Sequence, residues 1–167
     1  MRELSYKLEA IKTLTLLVLL LIFTNKAFAF GEEKEEINNS IYFGGFSKHL
    51  FTDGLNETHH FLGYERNDIL IGAFKNSYND WTAVAAYDFD YNFGDYFDND
   101  FAKQIDFGVM LGASYGYECE MIEPMPCYNK ISPVVLPYVS YTYQDFPIKP
   151  VLSLLGEAVF VTFRVDY

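Results

Sequence analysis

The sequence predicts an all-β protein, an eight-stranded antiparallel transmembrane β-barrel, and three observations lead there. The chain opens with the features of an export signal: a basic stretch with Arg2, Lys7 and Lys12, an apolar run from Thr13 to Thr24, and a small-x-small site at Ala27-Phe28-Ala29. That run falls short of the ~20 residues a spanning helix needs, so cleavage is expected, with Phe30 as the first mature residue. No later segment is long and apolar enough for a membrane helix. Finally, the chain closes on a strand of period two. Val159, Val161, Phe163, Val165 and Tyr167 share one face, and Thr162, Arg164 and Asp166 share the other. An apolar-out, polar-in strand with a terminal aromatic is the signature of an outer-membrane barrel. In lipid, only helices and closed barrels satisfy all backbone polar groups.

The elements follow in order. Residues 30–39 are acidic and polar and are expected to be flexible, and residues 40–167 form the barrel. The first strand is read over Ser40 to Leu50 and the second over His60 to Arg66. Asn67-Asp68 between them and the third strand, Ile69 to Asn76, is a two-residue hairpin turn. After Tyr78-Asn79-Asp80, a fourth strand runs from Trp81 to Tyr91. By alternation it points Thr82, Val84, Ala86 and Asp88 inward. An acidic, aromatic connection over Asn92 to Ala102 leads to the fifth strand, Lys103 to Tyr117. Its Gly108, Gly112 and Gly116 suit a sharply bent barrel wall. The sixth strand, Ile131 to Tyr143, carries Pro133 and Pro137, which break ladder hydrogen bonds. The seventh spans Ile148 to Leu154 and the eighth Ala158 to Tyr167. Eight is the smallest number of strands seen in bacterial single-chain barrels. Both termini then lie on the periplasmic side of the outer membrane of a Gram-negative bacterium.

Composition narrows the function classes. Removing residues 1–29 takes away Arg2, Lys7, Lys12 and Lys26 with Glu3 and Glu9, and leaves a formal charge of −13. Such a chain is no nucleic-acid binder, because phosphates need Lys and Arg. Fourteen Tyr and sixteen Phe against one Trp fit the aromatic girdles of a membrane barrel. Cys119 and Cys127, the only cysteines, read as a disulfide closing an outward loop that holds Pro124 and Pro126. No Gly-rich phosphate loop, nucleophile elbow or metal-ligand spacing is present, and no cofactor is implied. Outer-membrane lipids are the expected partners, with the barrel-assembly machinery acting during insertion, and the protein is expected to be a monomer.

One stretch carries a resemblance. Ala73-Phe74-Lys75-Asn76-Ser77-Tyr78-Asn79-Asp80-Trp81, continued by Ala85-Ala86-Tyr87, resembles the AFKDSWNKW…AGY segment of the lipid A palmitoyltransferase (PagP) family. Thr52-Asp53 followed by Asn56-Glu57 is similar to its TDRYNER segment, and Phe107 to Gly112 to its fifth strand. Val134-Val135-Leu136-Pro137 with Ser140 and Tyr143 resembles VLLPxxSxxY, and the ending at Phe163 to Tyr167 resembles RFQF. The resemblance implies an eight-stranded outer-membrane barrel with an acyl pocket. It also implies transfer of an acyl chain from a phospholipid to lipid A. The family's His maps onto His49, its Ser onto Ser77, and its Asp onto Asn76.

Several positions depart from the family. Asn76 hydrogen-bonds but carries no charge with which to orient or activate a His. The first outer loop is shorter, and residues 30–39 offer no counterpart to the family's amphipathic helix. Asp88 replaces a glycine at the pocket floor. A carboxylate there is costly beside an acyl tail, so Asp88 is expected to pair with the inward Arg164 and to restrict the chain length handled. His59 and His60 read as interface residues, and Asn76 and Ser77 also suit a turn. Two functions therefore stand together. One is an acyltransferase with His49, Asn76 and Ser77 at its mouth; the other is a non-catalytic small barrel with a structural or surface role.

Overall fold

The computed structural model describes residues 39–122, 125–143 and 146–167. The expected export signal and the acidic stretch up to residue 38 lie outside them. Eight strands close into one antiparallel barrel in sequence order. They are β1 Asn39–His49, β2 Thr58–Arg66, β3 Ile69–Lys75, β4 Trp81–Asn92, β5 Ile105–Tyr115, β6 Ile131–Tyr141, β7 Ile148–Leu155 and β8 Ala158–Asp166. Closure comes from β1 pairing with β8 along its whole length, from Ser40 opposite Asp166 to His49 opposite Ala158. The Tyr167 amide continues that seam by donating to the Asn39 carbonyl.

Local chemistry fixes the corners. Asn67 and Asp68 both adopt positive φ, as a two-residue turn matched to strand twist requires, and these residue types tolerate it best after glycine. The acidic, aromatic connection between β4 and β5 contains two short 3-10 turns, Phe93–Asp95 and Ala102–Gln104. Lys103 and Gln104 therefore belong to a turn and β5 starts at Ile105, two residues later than the alternation suggested. Cys119 and Cys127 form the expected disulfide, with their Cα atoms 5.4 Å apart.

One irregularity re-aims a strand. Gly44 and Gly45 both have positive φ, and the register against both β2 and β8 shifts between Gly44 and Phe46. An extra residue in a strand reverses which face the following side chains take. Below this bulge Ser40 and Tyr42 point inward; beyond it His49 does so, and Ser47 joins it in lining the interior cavity.

The barrel has two unlike halves. Toward the end that holds both described termini, the lumen is closed by a hydrogen-bonded charged layer. The Tyr42 hydroxyl donates to Glu65 Oε2 at 3.0 Å. Arg164 meets Glu65 at 4.0 Å, bonds Asp166 through Nε, and lies over the Tyr42 ring. Lys149 and Ser40 also bind Asp166, each at 2.7 Å. Above that layer Tyr42, Leu70, Ala86, Met110, Tyr138 and Val151 form the apolar core, with Phe61 and Leu136 against it. Outside, the strands present Ile41, Leu62, Ile69, Ile71, Val135, Val139, Leu152 and Leu154, all exposed.

Asp88 and Arg164 both point inward, as strand parity indicated, but they do not pair with each other. Asp88 is 1% exposed. Its Oδ2 accepts from the Tyr138 hydroxyl at 2.8 Å, while Oδ1 has no hydrogen-bond partner among the described residues. Alternation gives the face of a side chain, not its height in the barrel. Arg164 registers with Tyr42 on β1 and is held by Glu65 and Asp166 instead.

Candidate functional site

The core layer is a floor, and above it the lumen is open. A cavity of about 690 Å³ occupies the half of the barrel away from Asn39 and Tyr167. Small eight-stranded barrels are either filled by side chains or hold one small ligand, and this volume lies in the range of ligand pockets. Phe61, Phe74, Val84, Met110, Val134 and Phe160 make its walls, and Tyr42 and Tyr138 its base. Asp88 lies below Tyr138 and is not part of the lining. Two glycines set the shape of one wall. A Cβ at Gly63 or Gly72 would fall within 2.8 Å or 2.7 Å of the Phe61 ring, so these positions let Phe61 lie flat against the sheet.

The mouth is polar. Ser47, His49, His59, Ser77, Ser114, Ser132 and Glu157 line the cavity at its open end. Ser114 and Ser132 hydrogen-bond each other at 2.9 Å. The disulfide loop folds over this end and contributes Met121, Ile122 and Met125 to the lining. It is held down where the Tyr78 hydroxyl donates to the Met121 carbonyl and where the rings of Tyr78 and Tyr117 meet edge to face at 6.4 Å.

His49 and Ser77 both reach this mouth. His49 is buried at the end of β1, and neither ring nitrogen has a hydrogen-bond partner among the described residues. Glu157 lies 3.7 Å from its Nδ1, too far for a hydrogen bond. Ser77 sits in the β3–β4 turn beside the Tyr117 hydroxyl. Burial pushes the Tyr117 hydroxyl up to about 12, and the contacts with Ser77 oppose that rise.

Asn76 has the turn placement that its residue type suits. It is 1% exposed and does not line the cavity. Its Oδ1 accepts from the amides of Tyr78 at 2.9 Å and Asp80 at 3.0 Å. Its Nδ2 donates to Thr82 Oγ1 at 3.1 Å. The Asn56 side chain also donates to its carbonyl. Asn76 thus ties the turn that carries Ser77, with both its amide oxygen and its amide nitrogen engaged there.

His59, read from the sequence as an interface residue, lies inside the mouth at 2% exposure. Its Nδ1 lies 2.6 Å from the Lys75 carbonyl oxygen and its Nε2 lies 2.7 Å from Ser47 Oγ. Its ring packs on Phe160 at 4.8 Å. The signal for this in the sequence was the alternation of β2 itself, which puts His59 on the same face as Phe61, Gly63 and Glu65; the Gly44-Gly45 doublet marks the bulge that brings its partner Ser47 to the same side.

The wall has one weak seam. β5 and β6 pair over eleven residues, from Ile105–Tyr141 to Tyr115–Ile131, but β6 and β7 pair only at Tyr138, Val139 and Ser140. Pro137 and Pro133 follow directly, and neither has an N–H to give a neighbouring strand. Pro133, exposed on the outer parity of β6, also lines the cavity.

No protein-family model and no curated protein matches this chain.

Proposed function

We propose that this protein is a monomeric outer-membrane barrel that takes a lipid acyl chain into its lumen and transfers it, at the outward mouth, from a phospholipid to lipid A. The observation that carries this reading is the half-empty lumen: an apolar cavity of about 690 Å³ closed below by Tyr42 and Tyr138 and rimmed above by serines and histidines. An apolar cavity with a few convergent polar groups at one end suits an amphiphile with a hydrocarbon tail and a polar head. The β6–β7 seam supports the reading, because a bilayer lipid would enter sideways. The outer surface supports the membrane setting. Ile71, Leu62, Val135 and Leu152 form its middle, Trp81 and Tyr115 stand near the mouth, and Tyr64, Tyr87 and Tyr167 stand near the other end. That is the arrangement of an apolar band between aromatic girdles.

The resemblance to lipid A palmitoyltransferases points the same way and assigns His49 and Ser77 to the chemistry, with Asn76 holding the turn beneath Ser77. His is the natural proton carrier near neutral pH. The test is mass spectrometry of lipid A from a Gram-negative host with and without the expressed protein. One added acyl chain supports the reading; an unchanged lipid A profile under conditions that place phospholipid in the outer leaflet overturns it. One observation favours the second function, a non-catalytic barrel. The residue in the family's acidic position, Asn76, is committed to its turn. That reading predicts chain binding without any lipid product.

A further inference from the structure

We propose that Ser47 and His59 form a nucleophile–base dyad that attacks acyl esters at the mouth of the cavity. The proposal rests on the acyl-chain reading of the cavity and adds a covalent step that neither His49 nor Ser77 supplies. Its basis is the hydrogen-bond logic of one histidine. The Lys75 carbonyl can only accept, so Nδ1 of His59, at 2.6 Å from it, carries the ring proton. Nε2 is then the bare nitrogen, and the Ser47 hydroxyl, 2.7 Å away, donates to it. A hydroxyl bonded to a base that a third group orients is the general arrangement of an activated serine. Here a backbone carbonyl takes the place of the orienting carboxylate.

The fold builds this contact on purpose-shaped backbone. The bulge at Gly44 and Gly45 turns Ser47 toward the lumen, and His60 at the start of β2 takes a positive φ opposite it. A Cβ on Gly45 would lie 3.1 Å from the His59 Cβ, so the bulge also makes room for the ring. Phe160 and Phe74 hold the imidazole from the sides. Both dyad residues line the apolar cavity, so an ester whose tail occupies the cavity has its carbonyl near them. His49, two residues further along β1, has both ring nitrogens unpartnered among the described residues and offers a donor for a ligand oxygen.

The chemistry is closed in atoms and electrons. Ser47 Oγ bonds to the ester carbonyl carbon while its proton passes to His59 Nε2. The tetrahedral species collapses, the carbon–oxygen bond to the leaving alcohol breaks, and that alcohol takes the proton from His59. An acyl-serine ester remains. An acceptor hydroxyl, from water or a lipid, then gives its proton to His59 Nε2 and bonds to the acyl carbon; the bond from that carbon to Ser47 Oγ breaks, and Oγ takes the proton back from His59.

The experiment uses the full barrel, folded in detergent, and a hexadecyl fluorophosphonate probe read by intact mass and peptide mapping. The expected result is a single adduct on Ser47. Its rate should rise with pH through one ionisation and fall on the order of 100-fold or more in His59→Gln. The Ser47→Cys variant covers the possibility that Ser47→Ala misfolds: its iodoacetamide alkylation should show the same dependence on His59. An adduct on Ser77 or Ser132 instead, no adduct, or labelling indifferent to His59→Gln overturns the proposal. Chain binding is measured on the same samples. A barrel that binds the chain but does not react sinks the dyad alone, and one that reacts at Ser47 without holding a chain sinks the cavity reading alone.

Discussion

Glu65→Ala should destabilise the barrel by several times as much as Asp88→Ala, although both carboxylates are buried. Glu65 holds two partners: it accepts from the Tyr42 hydroxyl at 3.0 Å and faces Arg164 at 4.0 Å, with the side chains of Glu65 and Arg164 only 5% and 11% exposed. Its removal leaves a buried hydroxyl without an acceptor and takes one of the two carboxylates from Arg164. Breaking a buried pair from one side costs ~3–5 kcal/mol, and the retained Asp166 contact puts the expectation near the lower end. Among the described residues Asp88 has a single donor, Tyr138, and one oxygen with none. Asp88→Ala orphans the Tyr138 hydroxyl, at ~1–3 kcal/mol, but also removes a half-satisfied buried carboxylate, whose burial is itself unfavourable. The net cost should be about 1 kcal/mol or less. Both variants can be compared by urea titration of barrels folded into short-chain phosphatidylcholine vesicles, with Trp81, the only tryptophan, as the fluorescent probe. Equal losses, or a larger loss for Asp88→Ala, would refute the assignment of Arg164 to Glu65 and Asp166.

Other expectations follow from the same contacts. Unheated protein extracted from outer membranes should migrate faster on a gel than boiled protein, and recovery in the soluble periplasm would contradict the membrane setting. Gly112→Val should prevent assembly, since even a Cβ there would run into the Ala85 carbonyl oxygen; a normal yield of heat-modifiable barrel would show that the β4–β5 approach is looser. Cys119→Ser with Cys127→Ser should open the loop over the mouth to proteolysis while the barrel itself survives, because the strands beneath are closed without it. Ala86→Phe, placed in the cavity wall, should abolish chain binding while costing no more than the ~1–3 kcal/mol of an overpacked core, read by ligand titration and urea unfolding together.

Period-two alternation made the barrel legible, and it did so best where a strand is regular. β8 needed no more than Val159 to Tyr167, and the Asn67-Asp68 turn announced itself by residue type. Alternation failed at two kinds of place. At Lys103 and Gln104 a 3-10 turn leads into β5 without a change in composition, so the strand was begun too early. At Gly44-Gly45 a bulge reverses the face of all that follows, and without it Ser47 and His49 would have faced outward and His59 would have lacked its partner. Asp88 shows a third limit. Its inward direction was readable from β4 alone, but its partner depends on the height of Tyr138 relative to Arg164, which is set by the stagger of eight strands around the barrel. Asn76 and Ser77 were legible as a turn and as a mouth. Which of the two reaches the cavity depended on the hydrogen bonds to Tyr78, Asp80 and Thr82.

The central claim is that the lumen holds an acyl chain, and methyl groups report on it directly. Ala86, Met110 and Val134 line the cavity, while Ile71, Val135 and Leu152 face outward. In a barrel carrying labelled methyls in perdeuterated detergent, nuclear Overhauser contacts from a protonated long-chain lysophospholipid should reach the first group and leave the second dark. Contacts confined to Ile71, Val135 and Leu152 would mean that the chain only coats the outer surface, and the account of the cavity would be wrong.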